Sequence, residues 1–434
     1  MRRLLLPLGL AALFSSPVIA ETPVAEPEGT SATKDIAAWT LAGSIKRALE
    51  VAPELRAAET EIAGRSGELT QAAAWPNPSM DMDANNRIAQ EVGSGGTRLS
   101  RIGISQPLPM RRLSRQRIAA EANLESAREN LRYQQLLLER EVARVFHALQ
   151  LAAAKHELAE ERKRLTESLN VSRKSVGDRL VRYLTPLERQ RLSILNEEAT
   201  QADAVAEREQ QKALIDFRML LALPQWAQVE PAAPKLPVAP ANLDALSRSL
   251  EDHPILAGAR KELEAARAGI AVAESQRYAD PTLSLYRERD YLGGEQRNVT
   301  GVGISVQIPL WNTSSGTVAK AAADAGRAQA RLDLLKREAR NQLEQAHSQL
   351  LRLSVQTERL RKNLLEPARS MFALTRRGFA SGELNILALV DASNTYFDAR
   401  ARYLELQTET ALAAADLRLA SGVFVLDHPM EVAP

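Results

Sequence analysis

Two histidines, His147 and His347, are the most obvious candidates for a metal site in the sequence, and they lie two hundred positions apart. Imidazole is a good ligand for zinc and cobalt, so two histidines that the fold brought together could bind such a metal. Neither histidine, however, lies in a local cluster of ligand residues, and the chain contains no cysteine. We therefore expect both to occupy packing or solvated positions on helices, and we predict no resident metal or other cofactor.

Motifs that carry catalysis are absent from the sequence. Residues 156–160 resemble half of a zinc-protease helix, but the second histidine of that motif is missing. Gly301 and Gly303 lie within an alternating, strand-like segment and lack the third glycine of a nucleotide-binding fingerprint. There is also no Walker loop and no G-x-S-x-G segment. The sequence therefore predicts a protein that is not an enzyme.

The beginning of the chain and its charge balance indicate an exported protein. Residues 1–20 have two arginines, an apolar stretch and small residues at the cleavage position, which is typical of a secretory signal peptide; the stretch is too short for a membrane anchor. Without Arg2 and Arg3 the chain has 54 basic and 54 acidic residues, which argues against a nucleic-acid partner. The lack of cysteine excludes a lipidated N-terminus. No later stretch is apolar enough to predict a transmembrane helix.

A long segment without Pro or Gly, residues 111–176, organises the rest of the chain. As one α-helix it would be about 100 Å long, which no compact globule needs. Apolar or small residues recur along it at alternating steps of three and four, the pattern of a coiled-coil seam. The seam consists of Leu138, Val142, Val145, Leu149, Ala152, His156 and Ala159. Several off-seam positions are also uncharged, namely Ala143, Leu151, Ala154 and Leu158, so we expect packing neighbours on two sides of this first rod.

The sequence contains an internal duplication with a period of about two hundred residues. Ile-Ser at 104–105 recurs at 304–305, and Asp216 and Arg218 match Asp416 and Arg418. The predicted segments are a signal peptide 1–20, a flexible leader 21–40, a first repeat 41–223 (a helix, a hairpin 79–105, the rod 111–176 and a return helix 186–223), a linker 224–241, a second repeat 242–422 (a helix, a hairpin 282–308, a rod 317–377 and a return helix 384–420) and a tail 423–434.

The predicted fold class is mainly α with a small β part, in which duplicated coiled-coil helices form the wall of an α-barrel. The four predicted strands alternate as a barrel wall does, but a closed barrel needs about eight strands. An open sheet edge cannot face lipid, so the chain must associate with copies of itself. Two, three or four copies would supply eight, twelve or sixteen strands. In each case the rods would enclose a tunnel below the barrel.

The order of elements resembles that of the TolC-type outer-membrane factors over about residues 41–422. Two motifs are most similar to the CzcC branch, which serves cobalt, zinc and cadmium efflux: Trp-Pro-Asn-Pro at 75–78 before a strand, and Ile-Ser-Gln-Pro-Leu at 104–108 before Arg111 and Arg112. The resemblance implies a homotrimer with a twelve-stranded barrel in the outer membrane of a Gram-negative bacterium and helices across the periplasm. It also implies two partners, a periplasmic adaptor and an inner-membrane resistance-nodulation-division pump.

The same resemblance implies a gate at the periplasmic ends of the rods, here at residues 177–185 and 378–383. Val-Asp-Ala-Ser at 390–393 matches the family's tip motif, which places Asp391 in a ring of acids at the narrowest point. Carboxylates that converge on one axis would attract cations and repel anions.

A second acid of that family's tip motif is replaced by Ala388 in this chain. Through the duplication, Glu188 occupies the equivalent position in the first half, and Arg191 is the counterpart of Asp391. We hypothesise that Glu188 and Asp391 form the constriction and that Arg191 pairs with an acid to hold it shut. The competing interpretation is that all three are solvated charges on helices.

These features favour an outer-membrane exit channel for divalent cations, namely cobalt, zinc and cadmium, with nickel as a further candidate. One alternative keeps the channel but changes its cargo to drugs or secreted protein. Another is a periplasmic coiled-coil adaptor without a pore, although adaptors usually carry one helical hairpin, and this chain predicts two rods with a strand pair before each.

Overall fold

The computed structural model describes residues 38–85, 99–175, 185–235, 242–292 and 295–425. Its helices are α1 (Leu41–Val51), α2 (Pro53–Ala73), α3 (Arg112–Ser175), α4 (Pro186–Leu220), α5 (Leu243–Ser249), α6 (Pro254–Ser275), α7 (Ser315–Leu360), α8 (Glu366–Ala380) and α9 (Ile386–Ser421). Its strands are β1 (Ser79–Asn85), β2 (Leu99–Pro107), β3 (Thr282–Leu292) and β4 (Glu295–Ser305). The predicted signal peptide, the leader as far as residue 37, the turn residues 177–184 and the tail from residue 426 lie outside the described residues.

The first long helix, α3, contains 64 residues and is therefore about 96 Å long. It is continuous because neither Pro nor Gly interrupts its hydrogen-bond ladder. On the predicted seam, Val142 and Leu149 are fully buried, and Ala143 and Leu158, which lie off the seam, are buried as well. Other helices therefore cover α3 on two sides.

The second long helix contains a defect that the sequence pattern only partly indicated. After α7, a π-helical turn at Arg361–Leu365 leads into α8, with Pro367 in the first turn of α8. Pro has no amide hydrogen and clashes with the carbonyl four residues earlier, so a wider turn ahead of it lets the helix continue. The rod predicted at 317–377 thus runs from 315 to 380 with one irregular turn.

The return helix α4 ends three residues before the predicted limit of 223. Ala222 has φ 49°, a left-handed conformation that a helix cannot continue through. The amide of Leu223 then donates to the carbonyl of Arg218 at 2.8 Å, which closes the helix end. The return helix α9 ends at Ser421, followed by Gly422 with φ 74°.

The long helices lie side by side in a layer whose members change along its length. At the sheet end, α3 packs between α2 and α6, and α6 packs on α7. One of the side chains that join α3 to α6 is Arg115, whose guanidinium donates to the carbonyl of Ala271 at 2.7 Å. At the other end, which we call the tip, α4 and α9 flank α3, and α9 packs on α7 and α8.

The four strands form one antiparallel sheet in the order β1-β2-β3-β4. Period-2 alternation gives the sheet two different faces. One row across all four strands contains only apolar side chains, all exposed: Met80, Ile104, Leu285 and Val302. The neighbouring row, on the opposite face, has Asp81, Gly103, Tyr286 and Gly301. In these two rows, one face is therefore suited to an apolar environment and the other to a polar one.

The fold class predicted from the sequence is confirmed: the chain is mainly helical, with long paired helices and a small four-stranded sheet. None of the helices in the described part of the chain combines the length and apolar character needed to cross a membrane.

Candidate functional site

The tip begins where α8 turns into α9. Gly382 has φ 82°, a conformation that strongly favours glycine, and the amides of Glu383 and Leu384 both donate to the carbonyl of Gly378. The sequence placed this turn at 378–383, but Gly378 belongs to the last turn of α8. A Cβ atom on Gly378 would lie 2.8 Å from the Leu384 side chain, so a larger residue there would push that side chain aside.

The helix α9 starts with a side-chain cap and a well-packed first turn. The amide of Ala388 donates to the Asn385 side chain at 2.9 Å, which satisfies one of the free amides at a helix start. Leu389 is 1% exposed, and further along the helix Tyr396 stacks on Phe372 of α8 with ring centroids 5.2 Å apart. The start of α9 is thus held rigidly by contacts within one chain.

Asp391 lies on this rigid turn with its side chain exposed. Its neighbours Val390 and Ala392 are both buried, so the helix presents the carboxylate on its outer side. Within the described ranges, no ion pair or side-chain hydrogen bond involves this carboxylate. The structure therefore leaves it available to solvent or to another copy of the chain.

Glu188 has a role that the sequence analysis did not assign to it. The amide and the hydroxyl of Thr185 donate to its carboxylate at 2.7 and 3.0 Å, and its own amide donates to the Thr185 hydroxyl at 3.3 Å. This reciprocal arrangement is a capping box, and Pro186 completes the start of α4. The Thr-x-x-Glu pattern was a visible signal for it. The Glu188 carboxylate is thus partly occupied by its own helix.

Arg191 follows one turn later on α4 and is exposed, next to the buried Leu192. Among the residues that the structure describes, no contact joins Arg191, Glu188 and Asp391 within one protomer. If these three charges form a gate, they must do so across subunits.

Polar contacts between helices near the tip were not predicted. Lys163 of α3 donates to Asp203 of α4 at 2.8 Å, and Asp203 is only 14% exposed. On the other side of α3, Arg162 donates to Asn394 of α9 at 2.9 Å. The partners are 40 and 232 residues apart in sequence, so no local pattern could have indicated them. They tie α3 to both of its neighbours just above the proposed gate.

The two histidines are separate helix residues in the structure. His147 Nδ1 lies 2.7 Å from Gln150 Oε1, beside a cavity of about 340 Å³ with mostly apolar walls. Burial lowers the pKa of His147, and the positive charge of Arg418 lowers it further, whereas the Gln150 hydrogen bond opposes the shift. His347 is half-buried on α7. In the described ranges, no group of three or more His, Cys, Asp or Glu residues is placed to hold a metal ion.

The chain matches a known protein family over most of its length. The family model for outer membrane efflux proteins matches residues 44–221 and 245–423, so that it covers each half of the chain separately. The chain belongs to the outer membrane efflux protein family. It is therefore an outer-membrane efflux channel and not an enzyme.

Individual relatives of this efflux protein cover most of its length. The cobalt-zinc-cadmium resistance protein CzcC of Cupriavidus metallidurans is 28% identical over 96% of this chain and 99% of its own. The open-state MtrE channel of Neisseria gonorrhoeae shares the fold with a TM-score of 0.67 at 20% identity, over 88% of this chain and 89% of its own. VceC of Vibrio cholerae gives a TM-score of 0.68 at 16% identity, over 88% and 96%.

Proposed function

We propose that this protein is the outer-membrane channel of a tripartite resistance-nodulation-division efflux system that exports divalent heavy-metal cations. The cargo would be cobalt, zinc and cadmium, with nickel as a further candidate. The observation that carries the proposal is the end-to-end similarity to a cobalt-zinc-cadmium resistance protein, at 28% identity over 96% of this chain. Its partners would be a periplasmic adaptor and an inner-membrane pump, as in the family.

The sheet supports assembly into a homotrimer. Four strands cannot close a barrel, and β1 and β4 are the edges of the sheet. Three copies that join β4 of one protomer to β1 of the next would give twelve strands and leave no free edge in the membrane. The row of exposed apolar side chains would then face outer-membrane lipid, and the face with Asp81 and Tyr286 would line the pore.

The proposed gate uses the exposed carboxylate of Asp391 from each of three protomers. A rigid α9 start would hold these three charges near the pore axis, where they favour cations over anions. Glu188 would add negative charge beside them, although its carboxylate also caps α4. Arg191 would neutralise part of this charge in the closed state by pairing with an acid of a neighbouring protomer.

Deletion of the gene tests the cargo. We expect the deletion strain to become more sensitive to zinc, cobalt and cadmium, and to recover when the gene is supplied on a plasmid. A panel of drugs measured in parallel is the control, and we expect no change in drug sensitivity. Sensitivity to drugs without any change for metals would contradict the proposed cargo and favour the alternative of a drug channel.

Single-channel recording in planar bilayers tests the gate. We expect Asp391→Ala combined with Glu188→Ala to weaken block by divalent cations and to reduce cation selectivity. Asp398→Ala is the matched control, because Asp398 is also an exposed acid on α9, two turns further from the tip. Unchanged cation block and conductance in the double variant would rule out the gate assignment.

A further inference from the structure

The outward face of the sheet changes character along its height. Near the helices it is mostly apolar: Leu283 pairs with Ile304 on one side and with Gln106 on the other, and the next row contains Met80, Ile104, Leu285 and Val302. The strand ends that connect to helices are Ser79, Pro107, Thr282 and Ser305, so these rows lie closest to the periplasm. The opposite ends of the strands point away from the helical part and toward the cell exterior.

Two arginines interrupt this apolar face at its outer end. Arg287 and Arg289 continue the alternation of Leu283 and Leu285 along β3, and both side chains are exposed. Arg287 shares its row with Met82, Ile102 and Thr300. Arg289 lies one row further out and pairs with Asn298 of β4, to which its Nε is 3.5 Å distant.

No acidic residue on the described part of this face neutralises the two charges. The described strand positions on the outward face include no Asp or Glu, whereas Asp81, Asp83 and Glu288 all lie on the opposite face. One arginine on that inner face, Arg101, lies 3.6 Å from the centre of the Tyr286 ring. Within the described strands the outward arginines therefore have no acidic partner on their own face, which leaves them open to an external anion.

We propose that Arg287 and Arg289 bind the phosphates of lipid A in the outer leaflet of the membrane. A cation on the lipid-facing side of a barrel is costly at the bilayer midplane and nearly free of cost at the interface, so the proposal places the two arginines at the headgroup level. Guanidinium groups bind phosphate oxygens through paired hydrogen bonds, and basic residues attract anionic lipid. The apolar rows below would contact the acyl chains of the same lipid.

This inference depends on the proposed outer-membrane trimer, and it can be tested on the purified trimer. Native mass spectrometry would compare lipid A that carries both phosphates with the same lipid A after its phosphates have been removed. We expect the wild-type trimer to bind the phosphorylated form at least about tenfold more tightly. Equal binding of the two forms would overturn the proposal, and this arm requires no variant.

Variants then assign the binding to the two arginines. Arg287→Gln with Arg289→Gln should reduce binding of phosphorylated lipid A about tenfold or more, and the double Lys variant should retain part of it. The matched control is Arg327→Gln with Arg337→Gln, which removes two exposed charges from α7 and should change nothing. Binding that is unaffected in the first variant would overturn the assignment.

Competition and fractionation distinguish a lipid site from a site for free phosphate and from a failure of the proposed function. Excess inorganic phosphate should not displace lipid A; complete displacement would show a site for free phosphate and would contradict a lipid site.

If the protein fractionates as a soluble monomer, the proposed function itself fails. If it is a membrane trimer without preference for phosphorylated lipid, only the lipid site fails.

Discussion

The tip and the sheet differ in where their apolar side chains lie. The tip buries them within one chain, and the sheet exposes them. At the tip, Phe372 and Tyr396 are each 8% exposed and stack on one another within one chain. In the sheet, Met82, Val302 and Ile304 are 69, 68 and 74% exposed. The tip therefore has a hydrophobic core of its own, whereas the apolar face of the sheet requires surroundings that the single chain does not supply.

This difference determines what stabilises each region. Removing apolar surface from water contributes about 25 cal/mol per Å², and the tip obtains this contribution when the protomer folds. The sheet obtains it only in contact with lipid, and its edges obtain hydrogen bonds only from other copies. Substitutions at the tip should therefore change the stability of the protomer, and substitutions in the sheet should change insertion and assembly.

The largest expected effect is that of Phe372→Ala. We expect the helical part to lose about 3–5 kcal/mol of unfolding free energy, because a buried aromatic side chain is replaced by a cavity. Urea unfolding in detergent, followed by circular dichroism at a helical wavelength, measures it. The control is Ile304→Ala, which should change the same transition by less than about 1 kcal/mol because its side chain is exposed. Equal effects of the two substitutions would refute the contrast between tip and sheet.

A smaller effect is expected within the sheet from Gly301→Ala. The Tyr286 ring lies over this glycine, and a Cβ atom there would be 2.4 Å from Tyr286 Cζ, while Arg101 stacks on the ring. Moving the ring should cost about 1–3 kcal/mol. The fraction of heat-resistant trimer on gels measures the loss of assembly, and the urea transition of the helices should remain unchanged.

A double variant checks the cause of that loss. In a Tyr286→Ala background the ring is absent, so Gly301→Ala should have little further effect on the trimer fraction. An equally large loss in both backgrounds would mean that the ring contact is not the cause.

An effect of about 1 kcal/mol is expected from Thr185→Ala at the start of α4. The substitution removes the hydroxyl that accepts from the Glu188 amide, and with it half of the capping box. Hydrogen exchange at the first turn of α4 should become faster. Thr395→Ala is the control: this hydroxyl donates to the Asp391 carbonyl inside a helix, so its loss should not speed exchange. Faster exchange in both variants would argue against a specific cap.

The fold was largely predictable from the sequence because its signals are local. The lack of Pro and Gly between 111 and 176 predicts α3, and strict alternation at residues 300–304 predicts a strand. The π-helical turn was not predictable, because Pro367 indicates a weak point but not how the helix accommodates it. The contacts that tie α3 to α4 and α9 depend on residues far apart in sequence, such as Lys163 and Asp203.

The candidate gate was less accessible to sequence reasoning than the fold. The structure shows Asp391 exposed on a rigid turn, but whether three copies converge depends on the assembly, so the gate stays a prediction. The internal duplication predicted that Glu188 shares a role in the gate with Asp391. The Thr-x-x-Glu pattern beside Pro186 indicated a local role that competes with it.

At neutral pH the smallest effect should be that of His147→Gln, and acid should reveal it. Burial and the charge of Arg418 lower the pKa of His147 in the folded protein, so the unfolded chain takes up a proton at higher pH. The part of the unfolding free energy that depends on a neutral His147 is therefore fully present above pH 6.5, the ordinary pKa of histidine. It is lost as the pH falls through the lowered pKa of the folded protein. Because this burial comes from one chain, as at the tip, it should affect the helical transition rather than trimer assembly.

Urea unfolding at a series of pH values measures this contribution. The variant should lose less stability than the wild type between about pH 7 and pH 5. It should keep a remaining slope, because burial also lowers the pKa of His253, whose Nε2 lies 2.9 Å from the carbonyl of Leu419. Only the slopes of unfolding free energy against pH are compared, so a pH-independent loss of stability caused by Gln at this position does not affect the result. If the variant were as acid-sensitive as the wild type, His147 would be solvated in the assembled protein. The helices around His147 would then be exposed to water, as the apolar face of the sheet is in the single chain.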